Sequence, residues 1–162
     1  GATDEGFAAA EGLLHTIGGT VVRAGDKPGM GQKAKTCMQA FFSLTFQTTY
    51  EVLALGTAMG LDPVNVYEIL DATGASNNIF RATARNVAGR HFAGTGNPLS
   101  ILDKDMKIAC EAAAACGLPV PSIEATAKNF DLAMKKYASD DVWAAILPLE
   151  EAAGIKVQFD LD

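Results

Sequence analysis

Histidine is nearly missing from this sequence. His15 and His91 are the only two and stand far apart, so neither is favoured as a catalytic residue. Cysteine is sparse and odd in number. Cys37, Cys110 and Cys116 follow no metal-ligand spacing and lie in helical, alanine-rich contexts, so they read as reduced, buried small hydrophobes of a cytoplasmic protein, and no metal is expected. No apolar run reaches the roughly 20 residues that cross a bilayer, and the opening "GATDEG" has neither a basic region nor an apolar one. We therefore expect a soluble, cytoplasmic chain. Positive charge is scarce as well: 13 Lys and Arg against 19 Asp and Glu give a net charge of -6, and the basic residues are scattered. A nucleic-acid or anionic-membrane partner is disfavoured, and a small molecule is the better expectation.

What is present is a hydrophobic, mostly helical chain: 49% of its 162 residues are apolar, enough for a sizeable core. Asp4 and Glu5 favour a helix start, "FAAAEGLLHTI" continues it, Gly18 and Gly19 stop it, and "TVVR" is a short β-branched run. A lone strand has no pairing partner, so residues 1–26 read as the last helix and strand of a sheet domain whose remainder lies elsewhere in a longer protein. From residue 27 to 162 the pattern is helical. One long helix is expected from about Met30 to Met59, ended by Gly60, with Phe41, Phe42, Leu44, Phe46, Val52, Leu53 and Leu55 making it apolar on more than one face. Such a helix should be buried centrally, shared with a second subunit, or both. Further helices are expected from Asp62 and Pro63 to Gly74, over "SNNIFRATARNVAG", from Ser100 (with Asp103 as a capping box) to Cys116, from Ser122 to about Tyr137, from Asp140 and Asp141 through Ile146, and over a turn opened by Pro148.

Within "GMGQKAKTCMQ" the residues Gly31, Lys35 and Gln39 stand at i, i+4 and i+8, along one stripe of the long helix. Gly31 lacks a Cβ and lets a ligand approach the first turn, whose N–H groups favour an anionic group. Lys35 can donate to a carbonyl oxygen, and Gln39 can bond a hydroxyl or a carboxylate one turn on. The bland reading is that Lys33 and Lys35 are solvated and Gly31 is part of a loop. Lys104 and Asp105, in "ILDKDMKIA", are by composition a mixed-charge helix face.

Taken in order, "PGMGQKAKTCMQ" followed by "EVLALGTAMGLDP", then "LDKDMKIACEAAAACGLPVP" and "YASDDVWAAI", resemble the G-x-G-x-x-x-K-x-x-N-N, K-D-L-x-x-A and closing G-x-x-x-D segments of the 3-hydroxyisobutyrate dehydrogenase family of β-hydroxyacid dehydrogenases, relatives of 6-phosphogluconate dehydrogenase. The resemblance implies a mainly α fold: a 6-phosphogluconate dehydrogenase C-terminal-like helical domain with one long central helix, preceded by a helix and strand left over from a Rossmann domain. It implies an NAD- or NADP-dependent oxidoreductase acting on a small hydroxy acid, and a homodimer formed through the long helix. The family's Gly pair falls on Gly29 and Gly31, its catalytic lysine on Lys35, and its cofactor-contacting K-D pair on Lys104 and Asp105. Where that family usually has Asn-Asn, this chain has Met38 and Gln39, a pattern similar to the threonate-type branch. No G-x-G-x-x-G follows a strand, so the dinucleotide fingerprint is absent from these residues.

The chemistry so implied makes Lys35 a general acid in reduction and a base or proton relay in oxidation. An ordinary lysine pKa near ~10.4 is high for that task, so partial burial at a domain cleft is expected to lower it. These residues alone are expected to be inactive without a nucleotide-binding half. The competing reading is a helical dimerisation module without catalysis, and a weaker one is a decarboxylating or imine-reducing relative.

Overall fold

The computed structural model describes residues 1–161. The chain divides into two compact units, residues 1–38 and 39–162.

In the first unit, helix α1 spans Asp4–Ile17; the hydroxyl of Thr3 accepts from the N–H of Gly6 at its start, and Gly18 closes it with an N–H bond to the carbonyl of Leu14. The helix buries none of its residues, and Leu13 and Ile17 are exposed. The expected strand at "TVVR" does not form: residues 20–23 carry no strand assignment, and among the described residues no strand exists to pair with them. A single extended segment has no ladder to join. Its Arg23 is anchored instead through side-chain bonds to the carbonyl of Ala2 and an ion pair with Asp4.

Helix α2 spans Met30–Ala58 and passes from the first unit into the second, one residue short of the expected end. Gly29 before it and Gly60 after it both have positive φ, 86° and 90°, which explains glycine at each boundary. Helices α3 (Pro63–Asp71), α4 (Asn78–Ala88), α5 (Leu99–Ala115) and α6 (Pro121–Tyr137), a 3₁₀ turn Val142–Ile146 and a short α7 (Leu147–Ala153) complete the second unit. Asp62 caps α3 as expected, its carboxylate accepting from the N–H of Val64 at 3.1 Å. Asn77 caps α4 by accepting from Ile79 and Phe80. Two expected caps do not form. Helix α5 starts at Leu99 with Pro98 in the capping position, and α6 at Pro121, whose fixed φ suits a first turn; neither has a side-chain cap, and Ser100 and Ser122, expected to give the starts, lie inside the helices. Asp103 bonds Lys107 at 2.7 Å one turn on. Helix α3 also stops short of Gly74, at Asp71.

The core of the second unit is built on α5 and α6 packed side by side with the 3₁₀ turn against them. Tyr50, Leu53, Leu99, Met106, Phe130 and Ile146 are its fully buried anchors. The buried face of α2 recurs every three to four residues, at Ala40, Ser43, Gln47, Tyr50, Leu53 and Ala54, as a helix packed on one side requires. That face is more polar than its sequence suggested, and the apolar Phe41 (61% exposed) and Leu55 (60% exposed) point away from the core. The hydroxyl of Tyr50 donates to the carbonyl of Val142 at 3.0 Å, and Phe46 meets Trp143 edge-on at 5.4 Å, fixing α2 to the 3₁₀ turn. A Cβ on Gly56 would stand 2.5 Å from Val66 Cγ2, so the α2–α3 approach requires glycine there.

The cysteines correct the sequence reading. Cys37 and Cys116 are exposed and Cys110 is half-buried, all three unbridged. Cys116 sits at the end of α5, past the core-facing stretch, and Cys37 precedes the first buried residue of α2. Burial and the neighbouring carboxylates of Glu124 and Glu111 push the Cys110 thiol up, which leaves it a poor nucleophile.

Candidate functional site

Helix α5 buries Leu99, Leu102, Met106 and Ala109, which turns Lys104 outward and leaves Asp105 on the margin of the buried face. The Asp105 carboxylate is only 8% exposed. Its Oδ1 lies 3.2 Å from the ammonium of Lys104, whose side chain is 60% exposed, and its Oδ2 accepts a 2.8 Å hydrogen bond from the Gln39 side-chain amide. Residues that are 66 apart in sequence thus share one carboxylate. A buried carboxylate needs such partners, since desolvation would otherwise favour its neutral form.

Gly31 and Lys35 lie on the opening turns of α2 within the first unit, and both are exposed. Glycine at position 31 is not demanded by conformation or packing: its φ is not positive, and a Cβ there would meet nothing closer than the Gly1 nitrogen at 3.8 Å. His91 is exposed, with its ring against Gly89.

Gln39 also lines a cavity of about 250 Å³ together with Phe42, Phe46, Asn97, Ile101 and Leu102. The loop that carries Asn97 is held from several sides. The Asp141 carboxylate accepts from the N–H of Thr95 at 2.6 Å, the Trp143 indole donates to the Thr95 hydroxyl at 3.0 Å, and the N–H of Val142 donates to the carbonyl of Asn97 at 2.8 Å. Sequence reading treated "GRHFAGTGNP" as a connecting loop and did not single out Asn97. Its G-x-G and Asn-Pro signalled turns, but nothing local said that the loop would meet a helix that starts far upstream.

Lys104 offers an exposed cation held in place by a buried carboxylate, a donor set suited to an anionic group such as a dinucleotide phosphate. Among the described residues no helix is long and apolar enough to cross a membrane.

The long α2, the core around α5 and α6, and the Asp105 carboxylate that bonds Gln39 of α2 make up a helical domain. Residues 29–149 match the family model described as "NAD-binding of NADP-dependent 3-hydroxyisobutyrate dehydrogenase", and the chain belongs to that family. It is 32% identical over 136 residues to the 3-hydroxyisobutyrate dehydrogenase of Pseudomonas aeruginosa, covering 80% of this chain and 45% of that protein. It is 27% identical over 132 residues to the L-threonate dehydrogenase of Cupriavidus necator, covering 80% and 43% respectively. A solved structure of a 3-hydroxyisobutyrate dehydrogenase from Salmonella typhimurium superposes with a TM-score of 0.83 at 20% identity, over 91% of this chain and 52% of that one, and shows the shared fold. The chain spans about half the length of the curated relatives it matches. The family is NAD(P)-dependent, as the sequence resemblance implied.

Proposed function

We propose that this chain is the helical, lysine-bearing part of a cytoplasmic NAD(P)-dependent β-hydroxyacid dehydrogenase acting on a small acid of the 3-hydroxyisobutyrate or threonate type. The observation that carries the proposal is the shared carboxylate of Asp105: it ties Gln39, four residues after Lys35, to Lys104 of the K-D segment, inside a chain whose family is NAD(P)-dependent. Bound nicotinamide dinucleotide would supply the two-electron oxidant. Oxidation then requires the carbinol C–H to leave as hydride and the hydroxyl proton to leave as a cation, so that the C–O bond becomes a carbonyl. Lys35 takes that proton, and in the reverse direction its ammonium returns a proton to the developing alkoxide. No side chain crowds Gly31, and the acid's carboxylate is assigned to the first turn of α2 beside it. Lys104 is assigned to an anionic group of the dinucleotide, with Asp105 holding its ammonium.

Residues 1–26 are read as belonging to the nucleotide-binding side and residues 27–162 as the substrate and dimerisation domain. The exposed apolar side chains of α1 suit packing against further sheet structure, and residues 1–162 alone are expected to be inactive. The long helix is assigned to a homodimer interface, supported by the outward Phe41 and Leu55 and by a groove of about 390 Å³ lined by Phe41, Leu44, Thr48, Val52 and Phe80. The sedimentation mass of this chain tests that interface: about twice 16.9 kDa supports it, and a clean monomer rejects it.

The catalytic assignment is tested by Lys35→Ala in the complete protein. Loss of a positioned acid-base group should lower kcat about 10²-fold or more. Near-normal kcat would remove Lys35 from the mechanism. A dimeric chain whose complete protein turned over no hydroxy acid would favour the second reading, a helical dimerisation module.

A further inference from the structure

Residues 140–143, within the closing "YASDDVWAAI" segment, lie outside the chemistry assigned to Lys35 and Lys104, yet they join both helices that border the candidate site. The hydroxyl of Tyr50 donates to the carbonyl of Val142 at 3.0 Å and Phe46 meets Trp143 edge-on, which fastens α2. On the other side, the N–H of Leu99, the first residue of α5, donates to the carbonyl of Asp140 at 3.0 Å, and the N–H of Val142 donates to the carbonyl of Asn97 at 2.8 Å. Between them Pro98, which offers no side-chain cap, faces Asp141 in an isolated antiparallel bridge. Asp141 itself is only 6% exposed. Its carboxylate accepts from the N–H of Thr95 at 2.6 Å, while the Trp143 indole donates to the Thr95 hydroxyl at 3.0 Å. Helix α5 has no side-chain cap of its own, so this junction sets where it starts.

We infer that Asp141 is a positioning residue for the dinucleotide: by holding Thr95 it fixes the start of α5, and with it the place of Lys104 and Asp105 against Gln39 of α2. The role rests on the proposed dehydrogenase reading, in which Lys104 meets an anionic group of the dinucleotide. Lys104 stands five residues past Leu99, about 7.5 Å along the axis at roughly 1.5 Å per residue. A helix is stiff over that length, so a shift at its start reaches the ammonium. Misplacing a site group by about 1 Å can cost as much as about 10²-fold. The Thr95 N–H requires an acceptor and not a charge. An asparagine oxygen can replace the carboxylate oxygen there, and an alanine cannot.

The test uses the complete protein, unmodified and as Asp141→Ala, Asp141→Asn and Trp143→Phe. It measures kcat and the KM for NAD and NADP with L-threonate and 3-hydroxyisobutyrate as substrates. Binding of NADH and NADPH, followed by their fluorescence, gives a readout that needs no turnover, and urea unfolding reports the stability of each variant. For Asp141→Ala the expected result is a dinucleotide KM and dissociation constant raised about tenfold, with kcat at saturation changed less than about threefold. Asp141→Asn keeps an acceptor for Thr95 and should return both values to within about twofold of the unmodified protein. Lower stability in Asp141→Ala with KM and binding unmoved overturns the inference and leaves the dehydrogenase reading intact. Equal losses in the alanine and asparagine variants overturn it too, because the bond to Thr95 would then not be what matters. Should Asp141→Ala fail to fold, Trp143→Phe decides, since it keeps a ring against Phe46 and loses the bond to Thr95. A KM raised about threefold there supports the assignment, and an unchanged KM overturns it. An unmodified protein that neither binds the dinucleotides nor turns over either acid overturns the dehydrogenase reading and this inference with it.

Discussion

Two buried carboxylates in residues 39–162 are built alike and placed differently. Glu150, at 5% exposure, accepts from the Arg90 guanidinium at 2.5 Å and from the backbone N–H of Val157 at 2.8 Å. Arg90 reaches it from a left-handed backbone (φ 58°) just past the end of α4, and its guanidinium lies over the Phe92 ring at 4.5 Å. The clamp therefore joins the end of α4, helix α7 and the chain after it, and it holds Val157 fully buried. Asp105 has a comparable burial, but its cation is Lys104, most of whose side chain is in solvent, and its other partner is an amide that borders a cavity. One carboxylate spends its bonds on closing the fold. The other holds groups that a ligand can reach, which is why the candidate site is assigned to Asp105 and not to the better-shielded Glu150.

Substitutions can break or sharpen that contrast. The largest effect on stability is expected from Glu150→Ala, which leaves a partly buried guanidinium and a buried backbone N–H without their acceptor. It should cost about 3 kcal/mol in urea unfolding while the substrate preference of the complete protein is unchanged. Gly56→Ala probes packing without charge and should cost about 2 kcal/mol by the same measurement, because the new Cβ would meet Val66 Cγ2 at 2.5 Å. Tyr50→Phe removes the bond to the Val142 carbonyl and should cost about 1 kcal/mol. Asp105→Asn is nearly isosteric and separates the two carboxylates directly. It should lower stability less than Glu150→Ala does, yet lower kcat/KM of the complete protein, because an asparagine no longer pairs with Lys104 or dictates which end of the Gln39 amide faces it. A large stability loss with an unchanged kcat/KM would make Asp105 a second clamp.

The smallest expected effect concerns pH. The Ser76 hydroxyl and the Arg81 guanidinium hold the Asp71 carboxyl below its ordinary value. A carboxyl depressed in the folded state adds stability that is complete above its unfolded pKa of about 3.9 and is lost as pH falls through the lower folded value. Asp71→Asn should therefore cost a little stability at neutral pH and lessen the loss on acidification through that window, so that it differs least from the unmodified protein in acid, as urea unfolding at several pH values would report.

The helices followed from local chemistry. The glycines that flank α2 and the Asp62 cap with Pro63 behind it act through the backbone of their own neighbours, so the sequence by itself determined them, whereas the starts of α5 and α6 were read one residue late, on Ser100 and Ser122. The family followed in the same way, because its motifs are short and stand in order along the chain. Positions that depend on distant partners were not legible. Whether "TVVR" pairs depends on a second strand, and which face of α2 is buried depends on what packs there, so a stripe carrying Ser43 and Gln47 went inward while Phe41 and Leu55 stayed out. The cysteines, all short of full burial, miscarried for that reason too. Tertiary structure alone decided that Gln39 and Lys104 share the carboxylate of Asp105. An amide offers a donor and an acceptor equally until a neighbour brought close by folding commits one of its ends.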